Sequence, residues 1–324
     1  MYFRFEPFFR PMLWGSETWI LSAYPNMEAH VSEGAYAGKS LSELVSLLGA
    51  ELVGHSTYQR FGSQFPLLIK FIDAQMPLSI QVHPSDEMAQ RQGKGSVGKT
   101  EMWYGMKSEK DAFLLSGLKT PLTPATYKEH VANHSIVDDL ARYTPKEGDC
   151  FFLPAGRIHA IGTGCRLLEI QQTSDLTYRI YDYDRRDAQG HLRELHTDLA
   201  AESIDYTILP DYQTHYERKT NAPMDLVRCP YFETKAYRIE TPDTEHQTPD
   251  TLHQTPNTPL TIDWSHEDRF LVLIVTDGAG ILTIDGEQVS VQEKDTLLLP
   301  ATTQTITLRG VMTVVSTTNL PVNH

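Results

Sequence analysis

The sequence predicts a mainly β protein built as two double-stranded-helix (jelly-roll) barrels with a few covering α-helices. Three observations carry this. Most of the chain is short runs of Val, Ile, Leu, Phe and Tyr punctuated by turn signals such as DG, GTG and PAG, the rhythm of barrels and sandwiches. At 324 residues the chain exceeds one compact domain, so two cores are the natural division. Finally, EGDCFFLPAGRIHAIG at 147–162 aligns without gaps on EKDTLLLPATTQTITL at 293–308, which implies two copies of one structural unit. His159 of the first copy falls on Thr305 of the second. If that histidine is a metal ligand, only the first copy carries metal, and the expected division is 1–220, a metal-binding barrel with helical segments, and 221–324, a degenerate barrel without metal.

Three helices interrupt the strands. Ser40 and Glu43 form a capping-box signature, and LSELVSLLGAEL continues it with apolar residues at helical spacing. Thr123 is an N-cap with Pro124 in the first turn, opening a helix through ATYKEHVANHSIVDDLARY. A third helix is expected over 194–206. The stretch TPDTEHQTPDTLHQTPNTP at 241–259 is too polar and Pro-rich to bury apolar area, so it reads as an exposed loop within the second domain. His246 and His253 within it are not expected to be ligands, because such a segment holds no fixed geometry.

Composition excludes several classes. No stretch approaches the run of roughly 20 apolar residues that a spanning helix needs, and MYFRFEPFFRPMLWG lacks the basic and apolar regions of a secretory signal. The cytoplasm is the expected compartment. Cys150, Cys165 and Cys229 are odd in number and widely spaced, as reduced thiols are in a reducing compartment. The 28 Lys and Arg against 42 Asp and Glu leave a net charge of −14, which repels nucleic acid and anionic membranes. An anionic substrate needs its own cluster of Lys and Arg.

A metal constellation emerges from strand alternation. In SIQVHPSD, Gln81 and His83 share one face of a strand. In GKTEMWYG, Lys99 and Glu101 share another, bringing an ammonium and a carboxylate into one cavity. His159 in PAGRIHA completes two imidazoles, one carboxylate and one amide, a set without thiolate that suits zinc, with iron, cobalt or manganese as substitutes. The segment EIQQTSDLTYRIYDYDRRD at 169–187 is unusually polar for a barrel strand. Asp175 is a candidate for proton transfer and Arg179 for stabilising an oxyanion or gripping phosphate. Asp182, Asp184, Arg185 and Arg186 read as a surface ion-pair network.

In order along the chain, QVHPSDE, GKTEMWY, FFLPAGRIHAIG and EIQQTSDLTYRIYDYDR resemble the motifs of the zinc-dependent, cupin-fold mannose-6-phosphate isomerases, type I. PMLWGSETWILSAYP and GKSLSELV resemble the short bacterial branch, with WGS where the family commonly has WGG. The resemblance spans residue 7 to about 215. It implies interconversion of mannose 6-phosphate and fructose 6-phosphate, one zinc per chain on Gln81, His83, Glu101 and His159, and active-site roles for Arg179, Asp175 and Lys99. Moving a proton between C1 and C2 through an enediol requires a stabiliser of oxygen charge and a proton carrier. Asp175, Lys99 and a water on the metal are each chemically able to carry the proton. The phosphate would find donors in Lys99, Arg179 and Ser85. Two rival readings are a cupin oxygenase holding ferrous iron and a non-catalytic sugar-binding barrel.

Overall fold

The computed structural model describes residues 1–95, 97–186, 189–241 and 258–320. The expected loop at 241–259, with His246 and His253, lies almost wholly outside the described residues. The strands are β1 Phe3–Glu6, β2 Phe8–Met12, β3 Gly15–Leu21, β4 His30–Val31, β5 Leu67–Ala74, β6 Ile80–Val82 and β7 Glu101–Gly105. Next come β8 Leu114–Leu118, β9 Leu140–Tyr143, β10 Cys150–Leu153, β11 His159–Ile161, β12 Arg166–Gln172 and β13 Tyr178–Tyr181. The last are β14 Pro223–Arg228, β15 Phe232–Glu240, β16 Leu260–Asp263, β17 Leu271–Ile284, β18 Glu287–Gln292, β19 Thr296–Leu299 and β20 Thr305–Asn319. The helices are α1 Leu41–Leu48, α2 Ala50–Val53, α3 His55–Phe61, α4 Asp86–Arg91, α5 Pro124–Ala132 and α6 Thr197–Ser203. The protein is mainly β, as its sequence predicts.

Packing divides the chain into two interleaved units. One holds Met1–Phe8, Ile20–Leu67 and His215–His324; the other holds Phe9–Trp19 and Leu68–Thr214. The sequence suggests a single cut after residue 220, whereas the N-terminal segments pack with the C-terminal strands. The reasons are specific contacts within the first unit. β1 pairs antiparallel with β19, the Ala301 N–H donates to the Leu52 carbonyl at 2.9 Å, and Asn319 Nδ2 donates to Thr57 Oγ1 at 2.7 Å.

The unit of 9–19 and 68–214 is built on two antiparallel sheets, one ordered β10-β7-β12-β5-β3-β2 and the other β13-β6-β11-β8-β9. Trp14, Ile72, Trp103, Leu114, Phe151 and Leu167 form one core cluster of this unit. α5 and α6 cover the five-stranded sheet, burying Tyr127, Val131 and Ala200 against Ile80, Val82 and Tyr178. Such burial contributes about 1.5–3 kcal/mol per large apolar side chain. The other unit is a nine-stranded sheet with the path β14-β15-β20-β17-β19-β1-β4, β16 pairing with β20 and β18 with β17.

The internal repeat recurs in three dimensions. Asp149 accepts from the Lys146 N–H at 2.9 Å before β10, and Asp295 accepts from the Gln292 N–H at 3.0 Å before β19. β10 then pairs with β7, Leu153 opposite Glu101, as β19 pairs with β17, Leu299 opposite Leu271. Likewise His159 on β11 lies opposite Gln81, and Thr305 on β20 opposite Asp263. Leu271 therefore stands in the place of Glu101, Asp263 in that of Gln81 and Thr305 in that of His159.

Helix starts match the sequence reading better than helix ends. Ser40 and Glu43 make both bonds of a capping box, and Thr123 caps α5 with Pro124 at its first turn. The first helix stops at Gly49, whose φ of 52° turns the chain, and α2 and α3 follow as separate pieces. The second stops at Ala132 rather than running through Tyr143. His134 at φ 65° ends it, a 3-10 turn follows at Ile136–Asp139, and β9 takes residues expected to be helical. α6 is the core of the stretch expected at 194–206. α4 has no counterpart in the sequence reading.

Candidate metal centre and its cavity

β6 carries Gln81, and His83 follows immediately after its end. Glu101 opens β7 and His159 opens β11. Because β11 pairs with β6 in the register His159 to Gln81, three strands deliver their polar side chains to one place. The ligand-capable atoms of His83, Glu101 and His159 lie within 4.8 Å of one another, and all three residues are buried. His159 Nε2 is 3.3 Å from Glu101 Oε1, His83 Nε2 is 3.6 Å from Oε2, and the Gln81 amide nitrogen is 3.2 Å from His159 Nε2.

The rest of each ring is held in a way that suits ligation. His83 Nδ1 is 2.9 Å from the Leu176 carbonyl, and His159 Nδ1 is 2.8 Å from the Arg157 carbonyl. A carbonyl only accepts, so each Nδ1 carries the proton and each Nε2 presents its lone pair to the cluster. Burial, helped by the Lys99 ammonium, pushes His83 well below the usual imidazole range. Burial lowers His159 to about 3, with Lys99 adding to the effect. Both rings are thus neutral near pH 7, as metal ligands must be. Among the described residues, both Glu101 carboxylate oxygens are buried without a partner of hydrogen-bond geometry. One carboxylate and two neutral imidazoles fit a divalent cation, and His83, Glu101 and His159 could hold one.

Lys99 lies against this cluster, with Nζ 2.7 Å from Glu101 Oε2, 3.2 Å from His83 Nε2 and 3.8 Å from Glu169 Oε1. Burial works against its charge, but Glu101 and Glu169 more than reverse that and hold it above the usual lysine range. Glu101 is raised by burial and by Glu169, with Lys99 opposing. Burial also acts to raise Glu169, and there Lys99 and Lys70 prevail and lower it.

A cavity of about 200 Å³ opens beside the cluster, and Gln81, Lys99, Asp175 and Arg179 all line it. Arg179 lies opposite Gln81 in the β13–β6 pairing. Its Nη1 donates to the Glu194 carbonyl at 2.9 Å, and its Nε is buried without a partner among the described residues. Asp175 is held by Arg10 at 3.3 Å. Ser85 is placed elsewhere. It is exposed, its Oγ accepts from the Met88 N–H as the cap of α4, and it does not line this cavity. The network expected of Asp182, Asp184, Arg185 and Arg186 forms only in part. Arg185 pairs with Asp182, but Asp184 pairs with His134 at 3.2 Å and Arg186 donates to the Gly190 carbonyl at 2.7 Å.

The sequence reading missed Glu17, Lys70 and Glu169, which line the same cavity. Lys70 Nζ is 3.2 Å from Glu169 Oε1 and 3.9 Å from Glu17 Oε2. Trp103 Nε1 donates to Glu169 at 2.9 Å and Trp19 Nε1 to Glu17 at 2.6 Å. The available signal was a charge flanked on both sides by apolar residues within a strand: LIKFI for Lys70 and LLEI for Glu169. A charge there is costly unless it is paired.

Comparison with known proteins agrees with this arrangement. A family model described as phosphomannose isomerase type I, catalytic domain, matches residues 13–114, and one described as mannose-6-phosphate isomerase, cupin domain, matches 259–319. The mannose-6-phosphate isomerase ManA of Bacillus subtilis is 35% identical over 91% of this chain and 92% of its own. The mannose-6-phosphate isomerase of Streptococcus mutans is 33% identical over 88% and 83% respectively. A crystal structure of mannose 6-phosphate isomerase from Bacillus subtilis superposes with a TM-score of 0.82 at 26% identity, covering 98% of this chain and 99% of that one. By sequence and by fold, the chain belongs to the type I phosphomannose isomerases.

Proposed function

We propose that the chain is a metal-dependent aldose–ketose isomerase that interconverts mannose 6-phosphate and fructose 6-phosphate, with zinc as its ion. The observation that carries the reading is a cavity whose charge opposes that of the whole protein. Arg10, Lys70, Lys99, Arg179 and Arg193 line it, against Glu17, Glu169 and Asp175, in a chain of net charge −14. Five cations facing three carboxylates beside a metal-competent cluster suit a small anionic substrate. The relatives named as mannose-6-phosphate isomerases support this choice over an oxygenase or a non-catalytic sugar binder.

In this reading Gln81, His83, Glu101 and His159 would hold the ion, Gln81 offering its amide oxygen. When bound, the ion would supply Lewis-acid polarisation to the sugar oxygens. Arg179 and Lys99 stabilise the negative charge that develops on those oxygens or take the phosphate, and Arg179 has the planar fork suited to it. Asp175, steadied by Arg10, moves the proton between C1 and C2. Ser85, as the cap of α4, is left out of the phosphate set. The strands of 68–214 form the catalytic unit, and the C-terminal strands are a metal-free copy. The protein works in the cytoplasm, a reading supported by three buried, unpaired cysteines.

The test is conversion of mannose 6-phosphate by the purified full chain before and after chelation, with zinc restored. Activity that disappears and returns supports the proposal. A metal-replete protein that converts neither mannose 6-phosphate nor glucose 6-phosphate sinks it.

A further inference from the structure

The C-terminal strands carry a cavity of their own, with a volume of about 550 Å³, inside the range of small-molecule sites. Strand pairing makes it the counterpart of the cavity beside the metal cluster. Leu271 lines it in the place of Glu101, and Asp263 in the place of Gln81. Ser316 lines it where Glu169 stands in the other unit. Ser316 lies opposite Leu273, itself opposite Leu297, as Glu169 lies opposite Trp103, itself opposite Phe151. Arg269, two residues before Leu271, takes the place of Lys99, two residues before Glu101. The copy has Leu271, Thr305 and Asp263 where the other unit has Glu101, His159 and Gln81, yet keeps an open cavity with a buried cation.

Its charge is balanced where that of the catalytic cavity is positive. Arg228, Lys235 and Arg269 line it together with Glu233, Asp263 and Glu267. The cations are already committed: Arg269 lies 3.3 Å from Glu233 and 2.5 Å from Glu267, Lys235 lies 3.6 Å from Glu233, and Arg228 lies 3.2 Å from Glu233. An anionic ligand would have to displace a carboxylate from its partner. A ligand rich in hydroxyls can accept from the cations and donate to the carboxylates while leaving the pairs in place. Ser316 adds a further hydroxyl to the lining, and the half-buried Trp264 ring supplies an aromatic wall for the C–H side of a pyranose.

We propose that this cavity is a metal-free site for an uncharged sugar of one or two rings, separate from the isomerase centre. The experiment is calorimetric titration of the full chain carrying His159→Ala, with D-mannose and maltose as probes and inorganic phosphate and mannose 6-phosphate as charged controls. Saturable binding of either neutral sugar at one per chain is expected. Lys235→Met and Trp264→Ala, each added to His159→Ala, should weaken it at least tenfold. The fold of each variant is checked by its melting curve, and Lys235, whose side chain is 35% exposed, serves if the tryptophan variant does not fold. Absence of binding by both neutral sugars, or binding unchanged in a folded Lys235→Met protein, overturns the proposal. Preference for inorganic phosphate over the neutral sugars, abolished by Lys235→Met, also overturns it and makes the cavity an anion site.

Discussion

Glu101 and Glu169 are both buried carboxylates within reach of Lys99, yet their surroundings separate them. Glu101 faces two imidazole nitrogens, whereas Glu169 is wrapped by Lys70, Lys99 and Trp103. Glu101 suits a metal and Glu169 an anchor for two ammonium groups. Replacing His159 by Ala removes one nitrogen of the cluster, and kcat should fall at least about a hundredfold, the scale of losing one preorganised electrostatic group. A coupled assay together with metal analysis checks it; full activity with metal still bound would contradict it. Glu169→Gln leaves Lys70 and Lys99 with less compensation in a buried place. Removing one partner of such a set costs about 3 kcal/mol, read as a lower urea midpoint at unchanged slope.

At the scale of elements, turns and caps set where strands and helices begin. Ser40 accepts from the Glu43 N–H at 3.2 Å while Glu43 accepts from the Ser40 N–H at 2.8 Å. Ser40→Ala should therefore cost about 1 kcal/mol, measurable by denaturant unfolding, with catalysis unchanged because α1 carries none of the proposed catalytic residues. Gly15 of the WGS motif has φ 144°, and a Cβ on it would meet the Asp73 carbonyl oxygen at 2.0 Å. Gly15→Ala should lower the melting temperature far more than Ser16→Ala, since the third residue of the motif is under no such constraint.

For the whole molecule, the two units should respond differently to one ligand. A cation held by residues of 68–214 alone, His83, Glu101 and His159 with Gln81, stabilises the unit that contains them, by about 2.7 kcal/mol at a free concentration a hundred times Kd. Chelation should accelerate amide exchange within 68–214 and leave 260–319 unchanged. Equal acceleration in both would show that the units unfold as one. The thiols report on the same packing. Burial pushes Cys150 and Cys165 up to about 12, so at pH 8 almost no thiolate forms in the native state. A disulfide reagent should modify neither until denaturant is added, and only modification above pH 11 in folded protein would follow the shifted values.

Much of this protein was legible in its sequence because the relevant signals are local. The repeat at 147–162 and 293–308 is encoded in adjacent residues, and so are the caps at Ser40 and Thr123 and the same-face pairs Gln81 with His83 and Lys99 with Glu101. Their alternation follows from strand geometry alone. What only the tertiary structure decided depends on partners distant in the chain. Lys70 becomes part of the site because Glu169, remote in sequence, lies 3.2 Å away. Ser85 lies away from the cavity lining, where its hydroxyl caps α4, and residues 1–8 and 20–67 join the C-terminal strands through pairing that no local pattern announces. Local backbone preferences act over a few residues, whereas charge compensation and strand partnership are settled only when remote segments meet.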